Sequence, residues 1–261
     1  PVGHVEAGLR TGNPLSPWPE EMNRSIAGLI AKYHFAPTET AKNNLLMEGK
    51  KKDSILVTGN TVIDSLLMIS KTIENNSNIR NKLEKEFSFL NIEKKLILVT
   101  SHRRENFDGG IERICSALKI IAQKHSDVEI VFPVHLNPNV KNPVNDLLGK
   151  IKNIHLIESQ QYLQFVYLMN RSTIIVTDSG GVQEEAPSLG KPVLVLRNET
   201  ERPEAVDAGT VKVVGTDKNN IISEVDKLLF DQTYMDSFKN TKNPYGDGKA
   251  SEKIVNFLKK K

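Results

Sequence analysis

The stretch TIIVTDSGGVQEEAPSLGKPVLVLR, residues 173–197, reads as strand, tight turn, helix and strand. TIIVT has no polar alternation, so it reads as a strand buried on both faces. It ends at Thr177, a serine and two glycines follow, and a helix begins. PVLVLR is then a second buried strand. Strand, helix and strand in this order build a parallel sheet with helices on its faces.

Working outward, the same alternation continues. LILVT, VEIVFPV and NIHLIE precede the quoted stretch and TVKVVG follows it, with helical patterns between most of them. Residues 71–93 are rich in Lys, Glu and Asn and read as a solvated helix or connection, a plausible domain boundary. Upstream lies a second α/β series. VGHVEA is a short strand, EEMNRSIAGLIAKY a helix, and YHFAP a strand stopped by Pro37. PTETAKNNLLMEG is a helix capped by Thr38 and ended at Gly49, SILVTG a buried strand, and NTVIDSLLMISKTI a helix. SEKIVNFLKKK reads as a C-terminal helix with lysines in its last turn. The fold class is α/β with doubly wound parallel sheets.

The 261 residues suit one large or two medium domains. A hydrophobic fraction of 38% suffices for a core. The net charge of +3, from 35 basic and 32 acidic residues, leaves no broad basic footprint for nucleic acid. No apolar run reaches the roughly 18 residues that span a bilayer, and no secretory segment is read, so neither membrane nor nucleic acid is an expected partner. The single cysteine, Cys115, lies in the helical pattern IERICSALKIIA and reads as a buried packing residue in a reducing cytoplasm. The start at Pro1, directly on strand-like PVGHVEAG, reads as the middle of a domain. Upstream sequence is therefore expected to be absent or supplied by another chain.

Ligands of doubly wound sheets sit beyond the carboxyl ends of the strands, and the unusual residues lie there. Thr100-Ser101-His102-Arg103-Arg104-Glu105 follows LILV, His135 follows IVFPV, Asp178-Ser179-Gly180-Gly181 follows IIVT, and residues 197–204 follow VLVL. The glycines of SGG let a phosphate approach the backbone, Ser179 adds a hydroxyl, and Glu185 is placed to accept both ribose hydroxyls. The plainer reading is a tight turn with a Ser or Asp cap. Phe165, in YLQFVYLMN, stacks on a base or packs in the core with Leu163, Val166, Leu168 and Met169; the helical spacing favours the core. Glu6, Glu20, Glu21 and His102, with Arg103 and Arg104, suit proton transfer beside an anionic leaving group. Glu20 and Glu21 stand beside Pro17 and Pro19. Each has an ordinary alternative: Glu20 or Glu21 as a helix cap, Glu6 paired with Arg10, His102 as a capping histidine, His135 closing a turn. No spacing indicates a metal site.

Together, GHVEAGLRTG, SPWPEEMNR, YHFAPTETAKNNLL, VTGNTVID, VTSHRRENF, PVHLNPNV, TDSGGVQEEAPSLGKPVLVLR, TERPEAVDAGT and NPYGDGKASE resemble, from end to end, the non-hydrolysing UDP-N-acetylglucosamine 2-epimerases. The resemblance implies a GT-B-like fold of two Rossmann-like domains, the N-terminal one incomplete. Residues 1–60 would be the remainder of that domain, 61–245 the UDP-binding domain, and 246–261 a helix packing back on the N-terminal domain. It implies interconversion of UDP-GlcNAc and UDP-ManNAc through UDP elimination to 2-acetamidoglucal and re-addition, with no cofactor and no metal, in a cytoplasmic homodimer. Glu6, Glu20 and His102 match the family's catalytic residues. Ser179, Gly180 and Gly181 match its diphosphate site, Glu185 the ribose ligand, and Phe165 the residue packed on uracil. Arg24, Arg103, His135 and Arg202 match polar substrate-binding positions, with Glu204 beside the last. The family stretch before GHVEAGLR carries a glycine-rich turn and a catalytic aspartate, and this sequence does not contain it. The alternative is a UDP-binding fragment or split-gene partner without its own catalysis.

Overall fold

In the computed structural model, residues 1–15, 18–239 and 241–261 are described, and they form two units. The first comprises Pro1–Met68 and Asn243–Lys261. Its elements begin with β1 (Gly3–Val5), α1 (Glu20–Ile30), β2 (Tyr33–Ala36), α2 (Glu39–Met47), β3 (Ile55–Val57) and α3 (Thr61–Asn75). The three strands make a parallel sheet in the order β1-β2-β3, with Val5 opposite Phe35 and Phe35 opposite Leu56. Ala7, Leu9, Ala36, Ala41, Leu45 and Ile55 form its core.

Local chemistry sets the bounds of α2. The Ala41 N–H donates to Thr38 Oγ1 at 3.1 Å, the expected cap. At the far end Gly49 takes a left-handed φ of 77°, and the Lys50 N–H closes on the Leu45 carbonyl. The division between the units falls inside α3, after Met68.

The second unit is Ile69–Lys242. In it follow α4 (Ser77–Glu86), β4 (Lys95–Thr100), α5 (Gly110–Lys124), β5 (Val128–Val134), α6 (Pro138–Leu148), β6 (Ile154–Glu158) and α7 (Tyr162–Arg171). Then come β7 (Ile174–Thr177), α8 (Gly180–Glu185), β8 (Val193–Val195), α9 (Pro203–Asp207), β9 (Val211–Val213), α10 (Lys218–Phe230) and α11 (Gln232–Lys239). The Lys/Glu/Asn-rich stretch thus holds a helix, α4. Asn76 caps it by accepting the N–H groups of Asn78 and Ile79, and Leu83 is its buried residue.

All six strands of this unit are parallel, in the order β6-β5-β4-β7-β8-β9. The chain winds outward from β4 to β6, then returns to place β7 on the other side of β4. Those two neighbours are the switch point of a Rossmann sheet, where connections leave in opposite directions and a crevice opens. The core explains the apolar runs. Every residue of β5 is buried, and α5 covers the sheet with Ile111, Ile114, Cys115, Leu118 and Ile121 at helical spacing. Burial pushes the Cys115 thiol up to about 12, which leaves no thiolate for nucleophilic chemistry.

The final helix, α12 (Ala250–Leu258), belongs to the first unit. Its Phe257 ring meets Tyr33 and Phe35 edge-on, with centroids 5.5 and 5.7 Å apart. Its own N-cap, Lys249, supplies no side-chain cap. Asp64 of α3 does so instead, accepting the N–H groups of Ala250 at 3.1 Å and Ser251 at 2.8 Å. Asp64→Ala is expected to weaken the seating of α12 by about 1 kcal/mol. Hydrogen exchange should show faster amide exchange in residues 250–258 and unchanged exchange in β5.

Candidate functional site

β4 and β7 end side by side, Thr100 opposite Thr177, with their Oγ1 atoms 2.6 Å apart. The chain leaves β4 through Ser101–His102–Arg103 and leaves β7 through Asp178–Ser179. Asp178 turns inward and is fully buried. Its Oδ2 accepts from Ser101 Oγ (2.8 Å), the N–H groups of His102 and Arg103 (both 2.9 Å) and Asn106 Nδ2 (3.0 Å). His102 Nδ1 lies 3.2 Å from its Oδ1. Burial alone would raise the Asp178 carboxyl, but the bonds from His102 and Arg103 hold it below the usual carboxylate range.

Over these strand ends opens a cavity of about 290 Å³, lined by His102, His135, Tyr162, Phe165, Ser179, Gly181, Val182 and Glu185 among others. Phe165, read either as stacking on a base or as packing in the core, is half-buried on α7 and lines the cavity, while Val166, Leu168 and Met169 take the core. His135 both closes a turn, accepting the Asn137 N–H at 3.1 Å, and faces the cavity, its ring stacked on that of His102 at 5.7 Å. Ser179 makes no side-chain cap to α8.

Glu185 is buried, and Tyr162 donates its hydroxyl to Oε1 at 2.6 Å. Burial raises the Glu185 carboxyl to about 7; the Tyr162 bond opposes the shift and the neighbouring Glu184 adds to it. Two guanidinium groups flank the glycine turn. A Cβ built on Gly180 would sit 3.6 Å from Arg202 Nη2 and 3.7 Å from Arg103 Nη2. Arg202 is paired with the buried carboxylate of Glu184 and with Glu201. Arg103 has no carboxylate partner among the described residues, and its buried Nε has no hydrogen-bond acceptor. A half-buried, uncompensated cation beside two glycines suits an anion.

The remaining expected residues lie in the first unit. Glu6, just past β1, takes a left-handed φ of 60°, and its Oε1 accepts from Asn60 Nδ2 at 2.6 Å. The alternative pairing of Glu6 with Arg10 does not occur: Arg10 bonds Glu48 at 2.6 Å. Glu20 is exposed at the start of α1. Neither Glu20 nor Glu21 caps that helix through a side-chain bond at its N-cap, Pro19. Glu21 is buried and instead accepts the N–H groups of Thr11 and Gly12, both at 3.1 Å. Arg24 lies 4.0 Å from Glu21. Pro17, which stands near the two glutamates in the sequence, lies outside the described residues.

Sequence reasoning named neither Asp178, Tyr162 nor Asn60 as site residues. Asp178 alone carried a signal, as a carboxylate at a strand end. Among the described residues no group of three or more His, Cys, Asp or Glu is arranged to hold a metal ion.

The family model described as UDP-N-acetylglucosamine 2-epimerase matches residues 1–259. The UDP-N-acetylglucosamine 2-epimerase of Escherichia coli K12 is 56% identical over 259 residues, which are 99% of this chain and 69% of that protein. The chain belongs to the UDP-N-acetylglucosamine 2-epimerase family. Among solved structures, the Neisseria meningitidis UDP-GlcNAc 2-epimerase bound to UDP-GlcNAc superposes with a TM-score of 0.94 at 52% identity, covering all of this chain and 70% of that one. The Methanocaldococcus jannaschii enzyme, in complex with UDP-GlcNAc and UDP, gives 0.82 at 39% identity and covers all of this chain and 69% of that one. The fold is thus the GT-B-like one of these epimerases.

Glu185 generates a test that needs no ligand. Its carboxyl titrates near 7 in the folded protein against an ordinary 4.5. The folded state therefore holds a proton that the unfolded state has already released, and stability falls as pH rises from 4.5 to 7. Glu185→Gln, which keeps an acceptor for Tyr162, should stabilise the protein by about 1–3 kcal/mol above that range and leave it unchanged below. Melting temperatures at acidic and alkaline pH check this; a difference independent of pH would contradict it.

Proposed function

We propose that this chain binds UDP-N-acetylglucosamine at the β4–β7 switch point and is a non-hydrolysing 2-epimerase, interconverting UDP-GlcNAc and UDP-ManNAc. The observation that carries this reading is the single cavity in which four separate requirements of a UDP-sugar meet. Phe165, Pro133 and Val182 supply apolar surface for uracil. Glu185 accepts the ribose hydroxyls in its ionised form. Ser179, Gly180 and Gly181, with Arg103 and Arg202 alongside, take the diphosphate. His102 and His135 stand where the diphosphate meets the sugar. The residues 61–245 are the UDP-binding domain in this scheme.

The reaction is a proton transfer coupled to a departure. The C2 hydrogen is weakly acidic, so its loss is assisted by cleavage of the C1–oxygen bond. The C2–H pair becomes the C1–C2 double bond of 2-acetamidoglucal, and the C1–O pair leaves with UDP. Reprotonation of C2 on the opposite face and return of the UDP oxygen to C1 give the epimer. No net oxidation occurs, and the scheme uses no nicotinamide. Glu6 and Glu20 are proposed as the carboxylates that take and return the proton. His102 and Arg103 stabilise the negative charge that grows on the departing diphosphate. The left-handed backbone of Glu6 and its bond to Asn60 fit a carboxylate held in one orientation. The setting proposed is a cytoplasmic homodimer that feeds cell-envelope polysaccharide synthesis. Among the described residues, no helix is long and apolar enough to cross a membrane.

A second reading is a UDP-binding chain without its own turnover; the chain spans 69% of the length of the E. coli relative. One experiment separates the two. UDP-GlcNAc is incubated with the chain in deuterium oxide and followed by proton NMR, with UDP binding measured by calorimetry. The epimerase reading requires UDP-ManNAc carrying deuterium at C2, lost in Glu6→Gln and Glu20→Gln. Both readings require Glu185→Ala to bind UDP roughly tenfold to a hundredfold more weakly. Wild-type binding in that variant would sink the assignment of the cavity itself.

A further inference from the structure

His102 is held by a carboxylate that the scheme above does not use. Asp178 is fully buried, and four donors converge on its Oδ2: Ser101 Oγ, the backbone N–H groups of His102 and Arg103, and Asn106 Nδ2. Asn106 is itself buried and also donates to the Leu196 carbonyl at 3.3 Å, which ties the arrangement to the end of β8. The other oxygen, Oδ1, is buried and has no hydrogen-bond partner of good geometry; the polar atom that faces it is His102 Nδ1, at 3.2 Å. An anionic oxygen so placed needs a proton on the nitrogen opposite. A lone pair there would repel it and leave a buried charge unsatisfied.

We propose that Asp178 is the positioning residue for His102: it keeps the proton on Nδ1 and so leaves Nε2, the nitrogen turned away from it, as an acceptor or acid at the cavity. The assignment rests on the reading of His102 as a group that acts on the bound UDP-sugar.

The neighbouring imidazole makes this choice matter. His135 accepts the Asn137 N–H at its own Nδ1, at 3.1 Å, so neutral His135 carries its proton on Nε2. The two rings stack with centroids 5.7 Å apart and an interplanar angle of 25°. They therefore offer unlike groups to one ligand, a donor from His135 and an acceptor from neutral His102. With the other tautomer of His102 both would be donors, and Nε2 would lack the lone pair on which His102 takes up the proton it offers to the departing diphosphate. A carboxylate that orients a histidine and fixes its tautomer is a recurring device in active sites.

The test is the tautomer of His102 together with steady-state kinetics. Nitrogen-15 long-range correlation spectra of the full chain at alkaline pH, assigned with a His102→Gln variant, should show protonated Nδ1 and unprotonated Nε2 for His102. In Asp178→Asn, which is isosteric and can turn an N–H toward Nδ1, the two assignments should exchange. In that variant kcat for UDP-GlcNAc should fall about 100-fold or more with KM little changed. Nε2-protonated His102 in the wild-type protein overturns the proposal, and needs no variant to fold. So does a His102 whose tautomer is the same in Asp178→Asn. An exchange of tautomers in a chain that turns over no UDP-GlcNAc supports the positioning role and counts against the enzyme reading alone.

Discussion

The carboxylate of Asp178 joins the two strand ends on which the candidate site is built. Parallel pairing brings Thr100 and Thr177 to the same level, but pairing ends there, and the chain must leave both strands with unpaired N–H groups. Asp178, one residue past β7, takes two of these from the β4 side and two side-chain donors besides. A buried carboxylate is tolerated only with such compensation. The compensation draws residues 101–106 into one conformation, from which His102 lines the cavity, with Arg103 next to it in the chain. Removal of the carboxylate would take from four donors of residues 101–106 the acceptor they share.

Charge around the glycine turn is divided unequally. Arg202 is neutralised by Glu184 on α8 and by Glu201, so it contributes shape and donors more than field. Arg103 keeps its charge uncompensated, with a buried Nε that nothing accepts. In the cavity Glu185 is buried with a neutral partner, Tyr162, and its carboxyl rises toward neutrality. A cation thus lies beside the glycine turn, and a reluctant anion lines the cavity. The proposed ligand, with a diphosphate and a ribose diol, would satisfy both.

In the first unit one short turn carries the analogous constraint. Glu6 takes a left-handed φ at the end of β1, while Ala7 and Gly8 are buried behind it. A Cβ on Gly8 would lie 2.0 Å from the Ala41 carbonyl oxygen, so α2 presses on the backbone just past Glu6. Asn44 Nδ2 adds a bond to the Gly8 carbonyl at 2.9 Å. Packing on α2 holds the turn, and Asn60 orients the Glu6 carboxylate.

Much of this was legible in residue order. The β-branched runs of β4, β5 and β7 read as doubly buried strands because parallel strands covered by helices have no solvated face to alternate with. Thr38 and Gly49 marked the ends of α2 because caps depend on neighbours in sequence. The cluster of Ser179, Gly180, Gly181, Glu185, His102 and His135 could be placed at strand ends, and the family resemblance named their roles. Tertiary structure decided what depends on partners distant in sequence. Phe165 turned to the cavity, although helical spacing alone favoured the core. Arg10 went to Glu48 rather than Glu6, a partner 38 residues away. Asp178 lies 76 residues from His102 and became its partner only because β7 pairs with β4. Periodicity and capping are local and are written in the chain, whereas which buried charge meets which donor is set by strand order, and strand order exists only in the folded molecule.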